Sequence, residues 1–241
     1  SLEQAKKSEG AKDRFNAQVA TYEFAFMLIK RAFPEWSLAV FRDLSSVRPY
    51  SQIYRMLHSL PERVSRAELH ALLPESSRRL GEIFATHADP GEYHLREVAL
   101  YGISECARAA KFMDVLSTGD YAKLGEMMKI SHDGDRVNYK PITDEYLDRL
   151  AVGDIDIATT SGAYACSTKR IDALCDLLNA TDGVLGSQLV GAGLGGCVIA
   201  LVKKDAAEKI ISLLNRDYYD ANKLPHSAAV FSPSCGASVI Y

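Results

Sequence analysis

Four glycines within six residues, set between two short apolar runs, constrain this chain more than any other stretch. The stretch runs Ser187-Gln188-Leu189-Val190-Gly191-Ala192-Gly193-Leu194-Gly195-Gly196, then Cys197-Val198-Ile199-Ala200-Leu201-Val202. Glycine lacks Cβ, so it takes positive φ readily and lets a neighbour come close to the backbone. One candidate neighbour is a phosphate, whose oxygens accept hydrogen bonds from clustered backbone N–H groups. The alternative is a tight hairpin connection with no ligand, since short loops favour glycine on their own account.

Known phosphate loops narrow the choice. A nucleotide P-loop needs Lys-Ser or Lys-Thr after its glycines, and none follows here. Gly191, Gly193 and Gly196 do have the G-x-G-x-x-G spacing of a dinucleotide site, but that loop must open a helix. The six residues after it are apolar and rich in β-branched types, which predicts a buried strand. The dinucleotide reading therefore fails on context.

Around this unit the pattern is α+β. Phe15, Val19, Tyr22, Phe26 and Ile29 recur at spacings of three and four, predicting an amphipathic helix from Ala11 to about Arg31, closed by Pro34. Residues 1–10 are polar and weakly helical. Short pieces punctuated by Pro49, Pro61 and Pro74 follow, with Ser65 and Glu68 spaced as a capping box. The longest periodic segment, Glu92 to Ser117, pairs with a helix from Tyr121 to about Ser131 as an αα-hairpin turned at Gly119-Asp120. Gly102 inside the first of these is expected to serve close helix packing. Residues 140–165 read as an excursion, with a helical turn or two near Thr143 and a short strand over Asp154–Ala158. Ser167 is placed as the cap of a helix through Leu178. Asp205 with Glu208 is placed as the capping box of another helix, to about Arg216, and a last strand is expected over Ala228–Phe231, with a turn at Cys235-Gly236-Ala237. The order helix, strand, strand, helix, strand suggests a sheet with helices on one face.

Composition excludes several functions. The formal net charge of −3 gives no basic field for nucleic acid or anionic membrane, so neither is expected as a partner. No apolar run reaches the roughly 20 residues of a membrane span, and no signal-peptide pattern opens the chain. The five cysteines form no C-x-x-C pair and read as reduced thiols of a cytoplasmic protein. His132, Asp133 and Asp135 are better explained as a helix C-terminus, with Gly134 ending it, than as a metal site. No metal site and no complete catalytic set is expected.

Leu189–Cys197 closely resembles the third conserved motif of galactokinases and their GHMP small-molecule kinase relatives, familiar as Met-Thr-Gly-Ala-Gly-Phe-Gly-Gly-Cys. The resemblance extends along the chain. Glu105 and Arg108, Gly119-Asp120, Leu124-Gly125-Glu126-Met127-Met128 and Ser131-His132 are similar to the family's E-x-x-R, Gly-Asp turn and G-x-L-M-x-x-S-H. Tyr164-Ala165-Cys166-Ser167 with Ile171-Asp172 is similar to its Y-x-V-S-x-x-E-L-D, and Ser234-Cys235-Gly236-Ala237 to its C-terminal ending. Lys12 to Glu23, containing Phe15-Asn16, resembles its Y-N-x-R-R-x-E-C-E helix.

The family's sugar-binding motif, Ser-rich phosphate loop and catalytic Asp precede the matched region and have no counterpart here. The chain thus looks like the C-terminal half of a galactokinase-like protein: residues 1–90 a helical lead-in, 91–241 an α+β core of ferredoxin-like type with an insertion at about 140–165. The resemblance implies ATP and Mg in the full-length protein, with neither held tightly by this chain. It also implies an N-terminal kinase lobe as partner and a small sugar substrate. Phe15 and Asn16 are the implied substrate-binding residues, and Gly191, Ala192, Gly193, Leu194, Gly195 and Gly196 the implied phosphate loop, with no catalytic residue in this chain. Phe15 stands where the family has a sugar-contacting tyrosine, so galactose itself is in doubt. Competing expectations are a kinase-derived sugar sensor or scaffold and a stand-alone α+β interaction domain.

Overall fold

A computed structural model of the chain describes residues 1–2 and 10–232. The turn expected at Cys235–Ala237 and the similarity at Ser234–Ala237 lie outside the described residues, as does most of the polar segment before Gly10.

The first predicted helix forms as α1, Ala11–Ala32, but the face it buries is that of Ala20, Phe24, Ala25 and Ile29; of the rest of the predicted stripe, Phe15, Tyr22 and Phe26 are half-buried and Val19 is exposed. Then come α2 (Tyr50–Ser59), β1 (Arg63–Val64), α3 (Arg66–Leu72) and α4 (Ser77–Phe84). Ser65 caps α3: its Oγ accepts the Glu68 N–H while the Glu68 carboxylate accepts the Ser65 N–H at 2.8 Å, the reciprocal pair its spacing predicts. β2 (Tyr93–His94) pairs antiparallel with β1 and leads into α5 (Leu95–Ser117). The Asp120 carboxylate accepts the Lys123 N–H at 2.9 Å and starts α6 (Tyr121–Asp135), completing the αα-hairpin. Gly102 on α5 faces α1, where an added Cβ would lie 2.5 Å from the Tyr22 ring, so the packing expectation holds.

Five local expectations fail for identifiable reasons. α6 runs through Gly134 to Asp135, because the carbonyls of both residues find partners in residues 164–167. Asp154–Ala158 is not a strand. Asp154 has φ 43°, its carboxylate accepts the Ser51 N–H, and Asp156 caps a short 3-10 turn at Ile157–Thr159, so the alternating acids are backbone caps. α7 (Asp144–Val152) precedes that turn. α8 (Lys169–Asn179) is capped by Thr168, not Ser167, whose N–H is used by the Asp135 carbonyl. Asp205 lies inside a 3-10 turn, one residue short of where it could cap α9 (Ala207–Leu214). Ala228–Phe231 forms no strand among the described residues, and Val230 and Phe231 are exposed.

β3 (Val184–Val190) and β4 (Cys197–Val202) form the antiparallel hairpin predicted around the glycines, with Val190 opposite Cys197 and Leu189 opposite Val198. The α+β class holds. Among the described residues, however, the sheet consists of these two two-stranded pairs only. On one face of the hairpin Leu189 and Val198 pack against Ile171 and Cys175 of α8. α6 runs so close to β3 that Gly125 and Gly186 meet backbone to backbone, and a Cβ on either would overlap the other segment. One large apolar cluster runs from Ala20 to Ala158; a smaller one joins α8, β4 and α9 with Tyr218 and Tyr219. Among the described residues no helix is long and apolar enough to cross a membrane.

Candidate functional site

The glycine loop between β3 and β4 owes its shape to a run of left-handed residues. Gly191, Gly193, Leu194, Gly195 and Gly196 have φ of 86°, 74°, 62°, 125° and 101°. Such angles are strained for side-chain-bearing residues, and Leu194 tolerates its own because its N–H donates to the Cys166 carbonyl at 2.6 Å. Of the six loop amides, that of Leu194 is the one bonded to a backbone carbonyl among the described residues. The glycines therefore serve two purposes. At Gly193 the close neighbour is the chain itself, since a Cβ there would overlap the Cys166 carbonyl oxygen. At Gly191 and Gly196 a Cβ would meet none of the described residues within 4 Å, and Gly191 and Ala192 are exposed. That open side is the one a ligand can approach.

Residues 163–167 are the loop's foundation. Their N–H groups bond the carbonyls of Glu97, Gly134 and Asp135, at 2.9 Å for Ala163, 2.7 Å for Tyr164 and 2.8 Å for Ser167. Two of their carbonyls are taken by α1: Gln18 Nε2 donates to Tyr164 O at 2.6 Å, and the Arg14 guanidinium donates to Ala165 O. The Tyr164 ring is stacked between Tyr22 and Tyr101, at centroid distances of 5.4 and 5.1 Å. From the far side, Ser1 Oγ donates to the Gly196 carbonyl at 2.7 Å.

Beneath the loop, burial governs the protonation of the titratable groups. Burial pushes the Cys166 thiol up to about 12, so it is a thiol and not a nucleophilic thiolate. Burial raises the Asp135 carboxyl to about 7, against the opposing effect of the bond donated by the Tyr101 hydroxyl at 3.1 Å; Glu105 and Asp172 nearby push it further up. His132 is fully buried, and burial lowers its pKa; its Nε2 lies 3.5 Å from Asp172 Oδ1. Asp133 instead points outward to pair with Arg136 at 2.8 Å. Among the described residues no group of three or more His, Cys, Asp or Glu is placed to hold a metal ion.

The two expected substrate residues sit apart from the loop's supports. Asn16 Nδ2 donates to the Thr86 carbonyl at 2.7 Å, and Phe15 is half-buried on the stripe of α1. A helix turns about 100° per residue, which puts Asn16 on roughly the opposite side of α1 from Arg14 and Gln18. A groove of about 380 Å³ runs along the Arg14–Gln18 side, walled also by Asp13, Asp89, His94 and Tyr139. Neither Phe15 nor Asn16 lines it. Arg14 and Gln18 escaped the sequence reading, although two polar residues four apart on an amphipathic helix are the signal that marks a shared second face.

Residues 155–220, from the 3-10 turn through the hairpin to Tyr218-Tyr219-Asp220, match the family model described as GHMP kinases C terminal. The chain carries a galactokinase-like GHMP kinase C-terminal region. Its similarity to whole galactokinases reaches beyond the matched model. It is 28% identical over 202 residues to the galactokinase of Pyrococcus furiosus, covering 82% of this chain and 49% of that relative. It is 30% identical over 130 residues to that of Thermotoga neapolitana, covering 54% of this chain and 30% of the relative. For the galactokinase of Exiguobacterium sibiricum the figures are 26% over 142 residues, 59% and 30%. The chain thus spans about a third to a half of the length of the curated relatives it matches.

Proposed function

We propose that this chain is the C-terminal domain of an ATP-dependent sugar kinase that phosphorylates an anomeric hydroxyl, working with a kinase lobe N-terminal to it and inactive alone. The observation that carries this reading is the exposed edge of the glycine loop. Gly191 and Ala192 present exposed main chain with no side chain beyond a methyl, and among the described residues their N–H groups bond no backbone carbonyl. Such a surface suits phosphate oxygens, which need backbone donors and close approach. ATP, when bound, supplies the transferred phosphoryl group, and catalysis of that transfer is mostly positioning and charge stabilisation. In this reading the loop positions the phosphates, while Mg is held by the nucleotide and the partner lobe.

Phe15 and Asn16 are assigned to the substrate end of the site. Phe15 offers no hydroxyl donor, which favours a sugar or related polyol other than galactose. The same residue is what favours the second reading, a kinase-derived sugar sensor without chemistry. The test is a coupled ADP-release assay with a panel of sugars, run on this chain alone and on the chain joined to its N-terminal lobe. Turnover by the joined protein alone is the expected result. Turnover by the isolated chain overturns the division of labour, and sugar binding without turnover in the joined protein supports the sensor.

A further inference from the structure

We infer that Arg14 and Gln18 are positioning residues for the glycine loop, acting on it through residues 164–166. The inference starts from a question of geometry: what aims the Cys166 carbonyl at the Leu194 N–H. Ala165 has φ 55°, a left-handed conformation that a non-glycine residue holds only when its surroundings enforce it. The enforcement comes from both sides. The N–H groups of Tyr164 and Ala165 share the Gly134 carbonyl, at 2.7 and 3.2 Å, which fixes the segment to the end of α6. The carbonyls of the same two residues point the other way and are held by Gln18 and Arg14. With both peptide planes pinned, the next carbonyl, that of Cys166, is left directed at Leu194.

The consequence runs outward. Among the described residues Leu194 is the one loop amide bonded to a backbone carbonyl, and that bond fixes where the glycines on either side of it stand. Gly193 fits only while the Cys166 carbonyl keeps its place, because the two are in direct contact. A helix some 150 residues away in sequence thereby sets the pose of the loop's open edge. The catalytic side of this inference rests on the kinase reading above; the structural side does not.

Two measurements separate the parts. The first is hydrogen exchange of the Leu194 amide in the 241-residue chain, wild type against Gln18→Ala, Arg14→Ala and the double variant. Losing one bond of this kind should speed local opening about five- to tenfold, and losing both should speed it more, with the amides of α5 unchanged. Arg14→Lys keeps a donor and should recover most of the protection. If the double variant does not fold, Gln18→Glu, which keeps the size and loses the donor, takes its place. Leu194 exchange equal to wild type in a folded variant overturns the inference.

The second is steady-state kinetics of the chain joined to its kinase lobe. The expected signature is a KM for MgATP raised about tenfold with the sugar KM unchanged. An unchanged MgATP KM in a variant whose Leu194 exchanges faster overturns the catalytic part. A joined wild-type protein that never turns over sinks the kinase reading instead, and the exchange result still decides whether Arg14 and Gln18 position the loop.

Discussion

Replacing Gly193 by alanine should damage the protein far more than the same change at Gly191, although the two positions share a backbone conformation. Their φ angles are 74° and 86°, so the left-handed strain of an L-residue, about 1–2 kcal/mol, is common to both variants and cancels in the comparison. What differs is the space. At Gly191 the new methyl meets none of the described residues within 4 Å. At Gly193 it overlaps the Cys166 carbonyl oxygen, which must move and take with it the 2.6 Å bond to Leu194. Losing that bond costs about 1 kcal/mol. Forcing a methyl into a packed site adds about 1–3 kcal/mol. Gly193→Ala should therefore be about 2–4 kcal/mol less stable than Gly191→Ala. Urea unfolding followed by far-UV circular dichroism measures the difference directly. Tryptophan fluorescence is the wrong probe, because Trp36, the single tryptophan, packs against the other apolar cluster. Equal midpoints for the two variants would mean that the Cys166 carbonyl gives way freely, and the account of the loop's foundation would be wrong.

Two further outcomes follow from buried charges. The Asp135 carboxyl is raised from 3.8 to about 7, so between these values the folded state binds the proton that the unfolded chain releases. Stability from this group is present below about pH 4 and is lost as pH rises towards 7, by up to about 4 kcal/mol. Asp135→Asn should therefore gain on wild type as pH rises from 4.5 to 8 in urea titrations, and a constant offset would contradict it. Arg96 is buried and donates to the carbonyls of Leu60 at 2.7 Å and His58 at 2.8 Å and to Asp144 at 2.6 Å. Arg96→Ala should cost about 3 kcal/mol by the same assay, with Arg96→Lys recovering only part, because an ammonium cannot serve three directions held by a planar fork.

Much of this architecture is legible in the sequence where local chemistry decides it. The helix over Ala11–Ala32, the Ser65–Glu68 box and the Gly119-Asp120 turn each form as their spacing predicts, because the partners lie within four residues, although the helix buries Ala20, Phe24 and Ala25 and leaves Val19 of the predicted stripe exposed. The hairpin around the glycines is legible for the same reason. The failures share a different cause. The carboxylates of Asp154 and Asp156 look like the polar half of a strand, yet Asp154 serves Ser51, which is 103 residues away in sequence. Gly134 looks like a helix stop and is instead a passage, occupied by the Tyr101 ring and the Ser161 carbonyl. At the candidate site the glycines can be read directly, but their supports cannot. The bonds from Arg14 and Gln18 join residues 151 and 146 positions apart, and no local pattern encodes such a pairing.

The two apolar clusters carry a consequence for anyone shuffling pieces among related proteins. The larger one draws on α1 to α5 and on Ile142 through Ala158 without a seam at residue 90, whereas the smaller begins only at Leu174. A chimaera spliced near residue 90 would cut through a shared interior and open it to water. One spliced between Thr160 and Thr168 would leave that interior whole, but it would part α6 from β3, which meet at Gly125 and Gly186, and break the carbonyl bonds that tie that short stretch to α1.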